Sequence, residues 1–269
     1  VSETNPQSLT GALPPALRRA LGEIHHFDEI GSTNDEALRL LRGGNSGNRL
    51  LVAGSQTAGR GRRGHQWLSP PGAGLYFSLV RELPLPLERI QALGLVVALA
   101  VRAGLGDCAV RGVSVKWPND LLSGKRKLGG ILVENHGAEE ESRHVVVGVG
   151  LNLRFPPEIM QSIDQPAVDI ASICGGHIDW AALLPALLAR LLDYIAVFAS
   201  DGFAGFQREW NRHDRYFGED VVAQAGAAKH IGCGAGVDAG GALLLRTADG
   251  VQRLVSGTIF PRAGAGPKP

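Results

Sequence analysis

Residues 57–67 read TAGRGRRGHQW, which sets Arg60, Arg62, Arg63 and His65 among Gly59, Gly61 and Gly64 and ends on Trp67. Glycines permit positive φ and close backbone approach, so successive amides can converge on an anion. Guanidinium groups add forked donors matched to phosphate oxygens. The run suits a phosphate grip, a track along a nucleic-acid backbone, or a solvated basic loop. It is not a Walker loop, because GxxxxGK followed by Ser or Thr is absent. It fits GxGxxG at the three glycines, but it leads into WLSPPG rather than a helix, against a dinucleotide fingerprint.

A second candidate lies downstream, VKWPNDLLSGKRKLGG at 115–130. Lys116 interrupts an otherwise apolar strand pattern. A buried ammonium without a partner is costly, so Lys116 must reach solvent, a carboxylate or an anionic ligand. Asn119 and Asp120 form a polar corner after Pro118. Lys125 and Arg126 suit an exposed basic hairpin tip. Lys127 opens a further strand, and the pair Gly129 and Gly130 would let a ligand lie against the backbone. A third stretch, GVGLNL at 148–153, ends a strand on glycines and Asn152, whose amide can close a pocket or simply cap a turn.

Other chemistries lack their residues. There is no GxSxG elbow, no nucleophilic Cys–His spacing and no acidic cluster of polymerase type. Cys108, Cys174 and Cys233 are odd in number and far apart, so they imply no disulfide framework. His25 and His26 adjoin, but zinc wants three or four converging ligands. Basic groups and glycines favour a phosphorylated ligand, such as a nucleotide.

These stretches need a scaffold. A strand is expected at 26–30, then a helix whose start, Thr33 with Glu36, has capping-box spacing. Leu38, Leu40 and Leu41 give its apolar face, and Gly43-Gly44 stop it. Strands are expected at 49–57, 75–83, 113–119, 127–135 and 144–153, with a helix at 88–104. The acidic run at 139–141 marks an exposed hairpin turn. Helices at 182–203 and 203–214 follow. From Tyr216 short strands alternate with glycine-rich turns, as in a small antiparallel barrel or sheet. The proline-bearing first 22 residues offer at most one short helix near Ala16–Leu21, and 263–269 reads as a disordered tail.

The 269 residues are 44% hydrophobic, enough for a sizeable core, and carry a net charge of +1. A nucleic-acid binder usually shows a basic excess, so the balance argues against DNA as the main partner. The N-terminus lacks a signal-peptide pattern. The longest apolar stretch, 92–105, is broken by Arg102 and too short for a bilayer. A soluble, cytoplasmic protein with no membrane partner is expected.

Together, GSTN at 31–34, Gln56 before TAGRGRRG, Trp67, KWPND at 116–120, KLGGILVE at 127–134 and GVGLN at 148–152 resemble, in order and spacing, the biotin protein ligases. The resemblance runs from about residue 25 to 260. It implies an α+β fold: a mixed β-sheet flanked by helices, like the catalytic domain of class II aminoacyl-tRNA synthetases, with a small C-terminal SH3-like β-barrel. It implies an N-terminal extension at 1–22, a catalytic domain at 23–214 and the small domain at 215–262. It also implies a two-step reaction. Biotin and ATP, with Mg2+, give biotinyl-adenylate and pyrophosphate. A lysine of the biotin carboxyl carrier protein of acetyl-CoA carboxylase then takes the biotinyl group, and AMP leaves.

Residue roles follow from the same resemblance. Ser32, Thr33, Asn34, Gln56, Gly129 and Gly130 match positions lining biotin, and Arg60, Gly61 and Arg62 match a loop that orders over biotin and its adenylate. Arg63 continues that motif. Trp67 and Asn152 match positions near adenine. Lys116, Asn119 and Asp120 match positions near the phosphates and metal, the metal being Mg2+ carried on the ATP phosphates. Lys127 matches a lysine that contacts the biotin carboxyl and the α-phosphate; it and Arg60 are the expected catalytic residues.

The chain departs from the family pattern in two respects. Many relatives have arginine where His65 stands, so the loop holds one fewer fixed charge. Some relatives carry an N-terminal DNA-binding domain, and the 31 residues before Ser32 leave no room for its three helices, so no repressor function is expected. Lipoate ligases and octanoyl transferases share the fold but not the GRGRRG and KWPND set, and a nucleic-acid module would leave Thr33, Gln56 and Lys127 unexplained. The family includes both monomers and homodimers.

Overall fold

A computed structural model describes residues 5–137, 143–176 and 178–262. The expected turn at 139–141 and the tail at 263–269 lie outside the described residues. In chain order the elements are α1 (Pro6–Gly11), α2 (Pro15–Leu21), β1 (Glu23–Phe27), α3 (Thr33–Arg42), β2 (Arg49–Ala53), β3 (Gly74–Leu83), α4 (Leu87–Ile90) and α5 (Leu93–Asp107). Then come β4 (Val113–Lys116), β5 (Asp120–Ser123), β6 (Arg126–His136), β7 (Arg143–Asn152), α6 (Pro157–Gln161), α7 (Ile170–Ile173), α8 (Trp180–Asp201) and α9 (Gln207–His213). The chain ends in β8 (Asp220–Ala225), β9 (Ala228–Val237), β10 (Leu243–Thr247), β11 (Gly250–Leu254) and β12 (Thr258–Pro261).

Among the described residues the main sheet has seven strands in the order β1-β2-β3-β7-β6-β5-β4. Strands β1 and β2 pair in parallel and the rest antiparallel, so the sheet is mixed. Side chains of a strand alternate between faces. On β7, Val145, Val147, Val149 and Leu151 therefore enter the main core. Val146 faces α3 with Ala37, Leu41, Leu51 and Val80. Gly148, Gly150 and Asn152 share that second face farther along the strand, where they border a cavity instead.

The core face is covered by α5 and α8, which pack on each other. Within α5 ten residues are buried, Leu93 through Leu105, because it lies between the sheet and α8. The apolar helices are longer than the 92–105 stretch expected from sequence. With α4, the helical run Leu87–Asp107 reaches 21 residues, and α8 has 22, so both are long and apolar enough to span a bilayer. In this fold α5 is instead buried between the sheet and α8, and α8 buries its apolar face against α5, α1 and α2.

Several sequence expectations shift. The first 22 residues hold two helices rather than one, and Leu9, Leu13 and Leu21 join the core. The second is the helix expected near Ala16–Leu21; the first is hidden by Pro6 in its first turn, where proline is tolerated. The strand expected at 26–30 lies at Glu23–Phe27, and that at 49–57 stops at Ala53. The segment 113–119 is a strand only to Lys116; it turns through a cis Trp117–Pro118 peptide and returns as β5. Ser32, not Thr33, caps α3: its Oγ accepts from the Asp35 amide at 3.4 Å. Glu36 bonds Arg39 instead of reaching back to the cap.

The C-terminal strands form a five-stranded antiparallel sheet, order β11-β10-β9-β8-β12. Val221, Ala223, Val237, Leu243, Leu245 and Ile259 belong to the same buried cluster as the main core. Trp117 Nε1 donates to the Gly241 carbonyl at 3.1 Å, pinning the turn between β4 and β5 to this second sheet.

Candidate active site

A cavity of about 630 Å3 opens on the second face of the main sheet. Its walls come from the α3 N-terminus, the 56–68 loop, the β4–β5 turn, the glycine-bearing ends of β6 and β7, residues 162–167 and the turn before β12. Of the site residues expected from sequence, all but Gly129 line it. A Cβ at Gly129 would meet Leu151 and the Gly150 carbonyl, so that residue faces the core side.

One end is neutral and densely hydrogen-bonded. The Thr33 amide donates to Gln56 Oε1 at 2.9 Å, and Thr33 Oγ1 lies 3.2 Å from the same oxygen. Gln56 Nε2 donates to Ser69 Oγ at 2.9 Å. Buried Ser78 sets its hydroxyl 2.7 Å from Thr33 Oγ1 and 2.6 Å from Asn34 Oδ1. Asn34 Nδ2 donates to Glu134 Oε2 at 2.8 Å. A Cβ at Gly148 would overlap the Asn34 amide, so only glycine lets this side chain lie on β7. Such a fully partnered polar network holds its members in one arrangement.

The other end is cationic. Asp120 Oδ1 accepts from Lys127 Nζ at 2.9 Å, and Oδ2 lies 3.3 Å from Lys116 Nζ. One carboxylate thus serves two ammoniums, and Lys116 and Asp120 are each only 8% exposed. The remaining positive charge favours an anion in this little-solvated corner. Burial, then neighbouring Arg63, holds the Arg62 guanidinium below its usual pKa, with Asp120 opposing. Lys116 Nζ also lies 5.3 Å from the Phe260 ring centre. Asn119 locks the turn: its Nδ2 donates to the Ile131 carbonyl and its carbonyl accepts from the Ile131 amide, both at 2.9 Å.

Trp67 divides the two ends. Its ring lies over the β6 and β7 glycines, with Nε1 2.6 Å from where a Gly150 Cβ would sit. Lys127 Nζ is 5.4 Å from its ring centre. Nε1 is buried without a hydrogen-bond partner among the described residues. Asn152 Nδ2 donates to the Val168 carbonyl at 3.0 Å, tying the 166–168 segment beside Lys127.

The 57–67 loop is a small hairpin. Trp67 N donates to the Gly59 carbonyl and Gly61 N to the His65 carbonyl. Arg63 has a φ of 56° and donates to Thr258 Oγ1 at 3.3 Å, while His65 is exposed at the rim. Arg60 turns away from the cationic end; its Nη2 donates to Glu134 Oε2 and is ion-paired with Asp35 Oδ1, both at 2.7 Å. Sequence reasoning missed Ser78, Asp35, Glu134, Thr258 and Phe260. Ser78 alone carried a signal, a hydroxyl among apolar residues at 75–80. The others converge only in three dimensions. No cluster of three or more His, Cys, Asp or Glu suited to a metal occurs among the described residues.

A family model for the biotin/lipoate A/B protein ligase family matches residues 29–152. The chain is 35% identical to a biotin--[acetyl-CoA-carboxylase] ligase of Paracoccus denitrificans, over 85% of this chain and 96% of that one. It is 30% identical to the bifunctional ligase/repressor BirA of Bacillus subtilis, over 88% of this chain and 73% of that protein. Its fold matches the structure of a biotin protein ligase from Aquifex aeolicus in complex with biotin and ATP at a TM-score of 0.70 and 29% identity, covering 88% of this chain and 97% of that one. With likeness at this level running through both the sheet and the cavity-lining motifs, the chain belongs to the biotin protein ligases of the biotin/lipoate A/B protein ligase family.

Proposed function

We propose that the protein is an ATP-dependent ligase that activates biotin as biotinyl-5'-AMP and transfers it to a lysine of the biotin carboxyl carrier protein of acetyl-CoA carboxylase. The observation that carries this is the one cavity with a neutral, hydrogen-bonded end at Thr33, Asn34 and Gln56 and a cationic end at Lys116, Asp120 and Lys127. A neutral ring with donors and acceptors suits the first. A carboxylate meeting a triphosphate suits the second.

In the first step a biotin carboxylate oxygen bonds to the α-phosphorus, and the bond from that phosphorus to the bridging oxygen breaks, releasing pyrophosphate. Two anions must approach, so repulsion is a large part of the barrier. Lys127, oriented by Asp120 and Trp67, offers its ammonium where that charge builds. Arg62, Arg63 and Lys116 hold the phosphates by charge. Ser32, Thr33, Asn34, Gln56, Gly61 and Gly130 border biotin, and Trp67 and Asn152 the adenylate. In the second step the carrier amine bonds to the acyl carbon, loses a proton, and the acyl–oxygen bond to AMP breaks.

Mg2+ fits this site as an ion brought by the phosphates. Magnesium is commonly held by one or two carboxylates plus substrate phosphates, and the cavity is lined by Asp164 and by Asp120, which also pairs with Lys116 and Lys127. Bound so, it neutralises phosphate charge. We also take residues 23–214 as the catalytic unit and 215–262 as the small SH3-like unit. The setting we propose is the cytoplasm, with the chain acting as a monomer or homodimer.

The test is incubation of the protein with ATP, Mg2+, biotin and an apo carrier domain. Covalent biotin on the carrier is expected. Its absence, or a clear preference for lipoate over biotin, overturns the reading.

A further inference from the structure

We infer that Glu134, assisted by Asp35, is a positioning residue that clasps the 57–67 loop shut over the bound adenylate through Arg60. The inference rests on the ligase reading above. The base of the loop is held by backbone: Thr57 N donates to the Ile30 carbonyl and Ala58 N to the Gly31 carbonyl. Its tip reaches the rest of the protein through two hydrogen-bonded side chains among the described residues. One is the exposed Arg63–Thr258 bond at 3.3 Å. The other is Arg60, whose Nη2 donates to Glu134 Oε2 at 2.7 Å and forms an ion pair with Asp35 Oδ1 at the same distance.

Two carboxylates against one guanidinium leave no positive charge on Arg60 to spare for phosphate. The excess of cations stands at the other end, where Lys116 and Lys127 share the single carboxylate of Asp120 beside Arg62 and Arg63. Arg60 Nε is buried and unpartnered among the described residues, and Arg60 lines the cavity. Nη2 is thus spent on the clasp, and Nε, with Nη1, keeps donors for a ligand. The same Glu134 Oε2 also accepts from Asn34 Nδ2 at 2.8 Å. One oxygen joins the biotin end of the cavity to the loop that covers it. Glu134 is the stronger half: its side chain is 24% exposed against 53% for Asp35, and exposed pairs contribute little.

The experiment follows release of preformed radiolabelled biotinyl-adenylate after addition of excess unlabelled biotin and ATP. It compares wild type, Glu134→Ala, Glu134→Gln, Arg60→Ala and the Arg60→Ala/Glu134→Ala double variant, with melting temperatures alongside. Glu134→Ala should speed release about tenfold or more, and Glu134→Gln, which keeps an acceptor for Asn34, by a smaller factor. The double variant should release no faster than Arg60→Ala alone, because the two act as one unit. Added salt should speed release from wild type but not from Arg60→Ala. Unchanged or slower release from Glu134→Gln, or additive effects in the double variant, overturns the clasp. If the alanine variant does not fold, the glutamine variant and the salt series decide. Wild type that forms no adenylate at all refutes the ligase reading instead.

Discussion

Lys127 and Asp120 meet across neighbouring strands, β6 and β5, with Nζ 2.9 Å from Oδ1. The opposite oxygen of Asp120 faces Lys116 on β4 at 3.3 Å. Three consecutive strands at one end of the sheet thus deliver two ammoniums and one carboxylate to one corner, and the residual charge is what a nucleotide would answer.

Replacing Lys127 by alanine should cut adenylate formation well over tenfold, by about 2–4 kcal/mol, as for loss of an oxyanion-type donor. Asp120 keeps Lys116, so the fold should survive. Single-turnover adenylation is the measurement, and an unchanged rate would remove Lys127 from the chemistry.

Asp120→Asn is a different experiment. It leaves two little-exposed ammoniums facing each other without their carboxylate. Loss of one member of a buried pair costs roughly 3–5 kcal/mol, so a clear drop in the denaturation midpoint is expected. ATP, supplying the missing negative charge, should restore part of it.

Gly148→Ala and Gly150→Ala probe the two ends separately. The first pushes on Asn34 and the second on Trp67, 2.6 Å from the new methyl. The first should raise KM for biotin and the second KM for ATP, each by about tenfold or more, equivalent to ~1.4 kcal/mol. Steady-state kinetics with each substrate varied would show the split, and equal effects on both substrates would count against the two-ended site.

Asp214, at the junction of α9 and the C-terminal sheet, titrates at about 6, pushed up from 3.8 by burial and opposed by the Tyr216 amide and Arg215. The folded state therefore binds the proton more tightly than the unfolded one. This group stabilises most below pH 4, and that contribution is lost as pH rises towards about 6. Asp214→Asn can still accept from Tyr216 N and should be more stable than wild type above pH 6, by on the order of a few degrees in Tm. Melting curves from pH 4 to 8 test this; the gap between the two proteins should widen with pH and then level off.

The sequence by itself favoured a phosphorylated ligand and showed most of the elements. Alternation in GVGLN already separates Val149 and Leu151 from Gly148, Gly150 and Asn152, because strand periodicity is local. Lys116 in an apolar strand announced a paired or ligand-bound ammonium for the same reason. Helix α1 and β5 were hidden, since a proline at the helix start and a four-residue strand leave little periodic signal. Only the tertiary structure decided which carboxylate met which cation. Asp35, Glu134 and Arg60 come from three separated segments, as do Ser78, Asn34 and Gly148. Such contacts depend on sheet order and register, set by burial of the whole core rather than by any short stretch of residues.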